Sequence, residues 1–180
     1  MTAVRFADGL ERRAALELRA AGRRLEGYAA AFNSPANIGG FTEVVLPGAF
    51  AATLTARRDV LALVDHDPSR LLARTGSGTL RLAEDARGLR FELDVPDTGL
   101  GRDVLALAER GDLGGMSFGF RVVDERWPAA NRRELRAVEL VEVSVVQAFP
   151  AYAATSISAR ARGAGLEASA RLRRLWVETL

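Results

Sequence analysis

The chain has 180 residues, 48% of them apolar and 27% charged, which is length enough for one domain with a substantial core. It contains no Cys and a single His, His66, which excludes disulfide frameworks, Cys-based zinc sites, thiol catalysis and any multi-histidine metal site. The 25 basic residues are all Arg and stand against 23 Asp and Glu, so the pI of about 9.8 reflects the high proton affinity of Arg more than a large net charge.

No apolar run approaches the roughly 18 residues needed to cross a bilayer, and the first residues lack the apolar stretch of a signal peptide. The expectation is a soluble, intracellular-type domain with no membrane partner. Charge is uneven: residues 1–26 hold six Arg and four acids, and residues 160–180 hold five Arg and two acids. Such basic ends are usually solvated helix faces, so nucleic acid is not the expected partner.

Short apolar or alternating segments predict strands at 14–19, 24–32, 41–46, 59–65, 78–83 and 88–95. They are separated by the turn chemistry of Asn33–Pro35, Gly39–Gly40, Pro47–Gly48, Asp67–Pro68 and Gly76–Gly78. Residues 78–95 read as a hairpin. Further strands are expected at 116–126, 133–137 and 138–147. Helices are expected at 48–57, after Pro47, and at 100–110, where Val104, Leu105 and Ala108 share a face and Gly111 stops the helix. The segment 160–165 reads as a basic linker, and 166–178 as an amphipathic helix with Leu166, Ala170, Leu172, Leu175 and Trp176 on one stripe. Many short strands and few helices predict a β-dominated α+β domain built on a closed or nearly closed barrel.

Three residues could carry chemistry. His66 follows the apolar run Val60–Val64 and precedes Asp67–Pro68, so it stands at a strand end, where scaffolds present reactive groups. It is also the one imidazole able to act as a base near neutral pH. Asp65 and Asp67 flank it, but in an extended strand neighbouring side chains face opposite ways, so an orienting acid should come from elsewhere. Residues 115–119 match G-x-S-x-G around Ser117. A strand-like FGFRVV follows and the sole His lies upstream, which excludes the α/β-hydrolase elbow. Ser117 is then either a nucleophile or a small polar residue in a Gly-rich turn opening a strand. Glu142 lies inside VELVEVSVV, a strand apolar on both faces. A carboxylate there needs a partner, either the imidazole of His66 or an Arg at the sheet edge. Parity puts Leu140, Glu142 and Ser144 on one face; Glu139, nearer the strand start, is the fallback. A Ser–His–acid set would combine nucleophile, base and orienting group, and brings Ser117 Oγ within about 3.5 Å of an imidazole nitrogen. Oxyanion donors would come from backbone N–H groups near Gly114–Ser117 or from an Arg.

At these residues the chain resembles the prohead (procapsid) maturation proteases of tailed phages, the HK97-type family. The segments that carry the resemblance are LEGYAAAFN (25–33), FTEVVLPGAF (41–50), VDHDP (64–68), TGSGTLRL (75–82), GGMSFGF (114–120) and LVEVSVVQAFPAY (140–152). The resemblance implies a serine endopeptidase with a small β-barrel ringed by helices, similar to the herpesvirus assemblin proteases. It places the family histidine on His66, the serine on Ser117 and the third member on Glu142; in the herpesvirus enzymes that third place is a second His, which this chain lacks. It implies no cofactor and no metal. Its expected partner is the major capsid protein with its scaffolding segment, cut inside the assembling procapsid in the host cytoplasm, with self-cleavage as a further expectation. It also raises a homodimer, because related barrels become active on dimerising. The Lys-free composition suits a GC-rich genome, so a phage, a prophage or a gene-transfer particle fits equally. On this reading residues 1–159 form the protease domain, with the recognisable core at 25–158, and 160–180 are the linker and end helix, either a docking element or a segment lost by self-cleavage.

Overall fold

The computed structural model describes residues 9–15 and 17–147. Eleven strands and two helices follow in chain order: β1 (Glu11–Ala15), β2 (Glu17–Ala21), β3 (Arg24–Ala31), β4 (Ala36–Asn37), β5 (Thr42–Val45), α1 (Ala51–Thr55), β6 (Leu61–Val64), β7 (Asp67–Arg74), β8 (Leu80–Glu84), β9 (Gly88–Asp94), α2 (Gly99–Arg110), β10 (Gly115–Ala129) and β11 (Arg132–Val146). The β-dominated α+β class is as expected. The segments read as linker 160–165 and helix 166–178 lie outside the described residues.

The strands form two sheets. The larger has the order β1-β10-β11-β5-β4, with β6 also on β11 and β7 on β6; the smaller has the order β2-β3-β9-β8. No closed barrel is present among the described residues. The reason lies in β11, which is long enough to carry two parallel partners in succession. Its first part pairs with β5 (Leu135 against Val45) and its last part with β6 (Val145 against Val64). The sheet therefore branches along one strand instead of curling round to close. The two strands predicted at 133–137 and 138–147 are this single strand, and β7 occupies the stretch read only as a turn around Asp67–Pro68.

The core lies where the two sheets and helices face one another. Leu25, Leu89, Phe91 and Leu93 come from the small sheet, Met116, Phe118, Phe120, Val143 and Val145 from the large one, and Val104 and Leu105 from α2. Phe50, Phe118 and Phe120 form a ring series with centroids 5.5 and 5.2 Å apart. In β9 the inward Leu89, Phe91 and Leu93 alternate with outward Arg90, Glu92 and Asp94, the period of two that a half-buried antiparallel strand requires. Helix α2 is capped by the Thr98 hydroxyl, which accepts from the Gly101 N–H at 3.1 Å, and ends at Gly111 in the left-handed region.

A buried charge cluster, which hydrophobic patterning does not reveal, ties β1, β5, β10 and β11 together within the large sheet. Arg133 donates to Glu11 at 2.6 and 2.9 Å, to Glu43 at 2.9 Å and to Glu125 at 2.6 Å. Arg13 donates to Glu43 at 2.6 and 2.9 Å and to Glu11 at 2.8 Å. Burial alone would raise the Glu11 carboxyl, but the hydrogen bond and charge of Arg133, joined by Arg13, hold it below the ordinary value. Arg133 is raised in turn: burial opposes its charge, and Glu11, Glu43 and Glu125 outweigh that.

Candidate active site

His66 does not stand on an extended strand. β6 and β7 form a hairpin whose register pairs Val64 with Asp67, so Asp65 and His66 are its two loop residues. Both have positive φ, 52° and 62°, as a type I′ hairpin requires. Such angles are uncommon for residues other than Gly, although Asp and His tolerate them better than most. The turn is held from outside. The Asp65 N–H donates to the Val145 carbonyl at 2.9 Å, and the Asp65 carboxylate accepts from the Gln147 N–H at 2.9 Å and from Arg70 at 2.8 Å. Asp67 accepts from the Ser69 N–H at 2.9 Å and its hydroxyl at 2.7 Å. The flanking acids are thus committed elsewhere, and the acid that meets the imidazole comes from a different strand.

That acid is Glu142. Its Oε1 lies 2.7 Å from His66 Nδ1, with both side chains largely buried. Its Oε2 accepts from the Ser144 hydroxyl. An ionised carboxylate can only accept, so the contact calls for a proton on Nδ1, and in a neutral imidazole that leaves the lone pair on Nε2. Arg12 stands 3.8 Å from the same Oε1. Glu139 is not at the site; it pairs with Arg58 and Arg121 on the surface.

The face that Glu142 uses differs from the parity expectation. Between β10 and β11 the register shifts so that Gly119 pairs with Glu142 but Phe120 pairs with Leu140, leaving Val141 as an extra residue. A bulge of this kind reverses the side-chain alternation beyond it. Leu140 therefore belongs to the core, as do Val143 and Val145, while Glu142 and Ser144 lie on the opposite face with their partners Gly119 and Ser117. The bulge detaches the carboxylate from the apolar core and puts it among polar and small residues.

Ser117 is in the row adjacent to Glu142, opposite Ser144, and is wholly buried. Its hydroxyl donates to the Arg13 carbonyl at 2.6 Å, and no hydrogen bond joins it to His66. β10 is paired on one side with β1 and on the other with β11 across residues 116–120, so its backbone donors sit within sheet ladders. The Gly114 N–H is given to the Val146 carbonyl at 2.7 Å. The structure thus brings His66 and Glu142 into contact and puts Ser117 on the same sheet face with its proton directed to β1. Among the described residues no group of three or more His, Asp or Glu side chains is placed to hold a metal ion, and no helix is long and apolar enough to cross a membrane.

Two contributors to this arrangement escape a reading of sequence motifs. Gly119 was visible only as the last glycine of G-x-S-x-G, and Ser144 only as a residue on the same face as Glu142; Gly119 lies against the carboxylate through a strand pairing that a one-dimensional pattern does not specify, and Ser144 bonds to it from two residues along β11.

The sequence model of the family described as caudovirus prohead serine protease matches residues 10–168. Among solved structures, the capsid assembly protease of bacteriophage T4 is similar with a TM-score of 0.52 at 10% sequence identity, covering 76% of this chain and 96% of that one; at that identity the likeness concerns the fold. No curated protein sequence matches the chain.

Proposed function

The chain belongs to the caudovirus prohead serine proteases, and from that premise we propose that it is an endopeptidase that cuts the scaffolding segment of the major capsid protein, and itself, inside the assembling procapsid. The observation that carries the mechanistic reading is the 2.7 Å contact of His66 Nδ1 with Glu142, which fixes the tautomer that a general base needs.

On this reading Glu142 holds the Nδ1 proton, and Nε2 takes the proton of Ser117 as Oγ attacks the scissile carbonyl carbon. The resulting imidazolium returns that proton to the departing amine, leaving an acyl-enzyme ester. Water, deprotonated by the same Nε2, then releases the acyl fragment and restores Ser117. For the first step the Ser117 hydroxyl has to leave the Arg13 carbonyl and turn towards the imidazole. With the Gly114 N–H already used in the sheet, an Arg side chain is the favoured source of oxyanion stabilisation, and Arg12, 3.8 Å from Glu142, is a candidate.

A second reading, a non-catalytic assembly module with the protease fold, is favoured by one observation: the Ser117 hydroxyl is buried and bonded to the main chain of β1. Co-production of the capsid protein with the wild type or with Ser117→Ala, followed by intact-mass measurement, separates the two. Capsid truncation with the wild type alone is the expected result. Full-length capsid protein in both, in shells that still assemble, would establish the assembly-module reading instead.

A further inference from the structure

Glu142 cannot reach His66 from an ordinary strand position unless the neighbouring row makes room. Its cross-strand partner is Gly119, and a Cβ built there would lie 2.3 Å from Glu142 Oε1, 2.9 Å from its Cδ and 3.1 Å from its Cγ. The carboxylate therefore rests over the space where any other residue would carry its side chain. Gly119 is not among the residues with positive φ, so the glycine is not required by backbone conformation. What it supplies is volume. The second oxygen is fixed separately, because Oε2 accepts the Ser144 hydroxyl from two residues along the same face of β11.

We propose that Gly119 and Ser144 form a carboxylate seat, and that both are positioning residues for the acid of the site. Gly119 admits the Glu142 carboxylate beneath His66, and Ser144 sets its rotation so that Oε1 faces Nδ1. The proposal rests on the peptidase reading for its consequence in activity, but its structural content does not. The physical logic is that a carboxylate on a flexible three-bond side chain orients an imidazole only if its own rotamer is locked by packing and hydrogen bonds.

Because His66 is the sole histidine, 15N NMR of the imidazole reports this contact without ambiguity and without substrate. The wild type at alkaline pH is expected to show one tautomer, protonated at Nδ1, with that proton slow to exchange. In Gly119→Ala the new methyl meets the mobile end of a side chain and not backbone, so the fold is retained. The carboxylate is displaced, the Nδ1 proton exchanges rapidly and both tautomers appear. Ser144→Ala is expected to give an intermediate effect, and Ser144→Thr, which keeps the hydroxyl, restores the wild-type spectrum.

On cleavage of the capsid protein, Gly119→Ala and Ser144→Ala should lower kcat by about 10–100-fold with KM little changed, the scale expected for losing a hydrogen bond to a charged group. Ser144→Thr should recover most of it. Wild-type imidazole spectra and kcat in both Gly119→Ala and Ser144→Ala would overturn the proposal. Should Gly119→Ala fail to fold, Ser144→Ala against Ser144→Thr decides. Should the wild type prove inactive on capsid protein, the peptidase reading fails while the imidazole spectra still decide the seat.

Discussion

Replacing Arg133 with Met removes one cation from the buried cluster and leaves Glu11 and Glu43 with Arg13 alone, so that one buried carboxylate is uncompensated. Breaking a buried pair from one side costs about 3–5 kcal/mol. The folded protein can limit that cost by protonating one carboxyl, which at pH 7 costs roughly 1.4 kcal/mol for each unit above an ordinary carboxyl value of ~4.3, or about 3–4 kcal/mol. The expected loss at pH 7 is therefore about 3–4 kcal/mol, equivalent to roughly 6–16 °C in Tm for a chain of this size. It should shrink to about 1 kcal/mol at pH 5, because the limiting step is proton uptake. The wild type runs the other way. The Glu11 carboxyl is lowered in the folded state, so its contribution is present above the unfolded value and is lost as pH falls through the folded one. Urea melts followed by circular dichroism at pH 5, 6 and 7, for wild type, Arg133→Met and Arg133→Met with Glu11→Gln, test this. The double variant should regain most of the neutral-pH loss. A loss below about 1 kcal/mol at pH 7, or a deficit that grows on acidification, would refute the cluster's assigned role.

Two further outcomes concern the candidate site. With one imidazole in the chain, replacing His66 with Gln should abolish cleavage of the capsid protein while the fold is kept, because no other side chain can take the Ser117 proton; undiminished cleavage would remove His66 from the role of base. A fluorophosphonate probe should label wild-type Ser117 at least about tenfold more slowly than an exposed serine peptidase run alongside, since a local opening of only ~1.4 kcal/mol produces that factor. Ser117→Ala should not be labelled at all, and labelling of the isolated wild type as fast as the open enzyme would contradict a hydroxyl buried against β1.

The parts of this fold that could be read from sequence are those governed by local periodicity and punctuation. The β8–β9 hairpin follows from alternation on either side of Glu84–Gly88, and α2 follows from the apolar stripe of Val104, Leu105 and Ala108 and the stop at Gly111. The contact between His66 and Glu142 was partly legible for a related reason: a sole His and a carboxylate inside an apolar strand each stand out in the sequence, although Glu139 in the same strand stayed open as the alternative. What could not be read depends on pairing. His66 was expected on a strand end, yet lies within the turn, because the run of positive φ at Asp65 and His66 is imposed by β7, whose Asp67–Pro68 start resembles a turn.

The face of Glu142 is the sharper case. Simple alternation along β11 groups it with Leu140, and nothing in the string VELVEVSVV marks Val141 as the extra residue. The bulge exists because β10 and β11 must satisfy two demands at once. Phe118 and Phe120 have to meet Val143 and Leu140 in the core, and these residues are spaced by two on β10 but by three on β11. One residue has to be absorbed between them, and the absorbed residue turns Glu142 away from the core and over Gly119. The position of the acid beside His66 is therefore a consequence of how the core phenylalanines are spaced, so the packing that stabilises the sheet also sets the face on which the site is built.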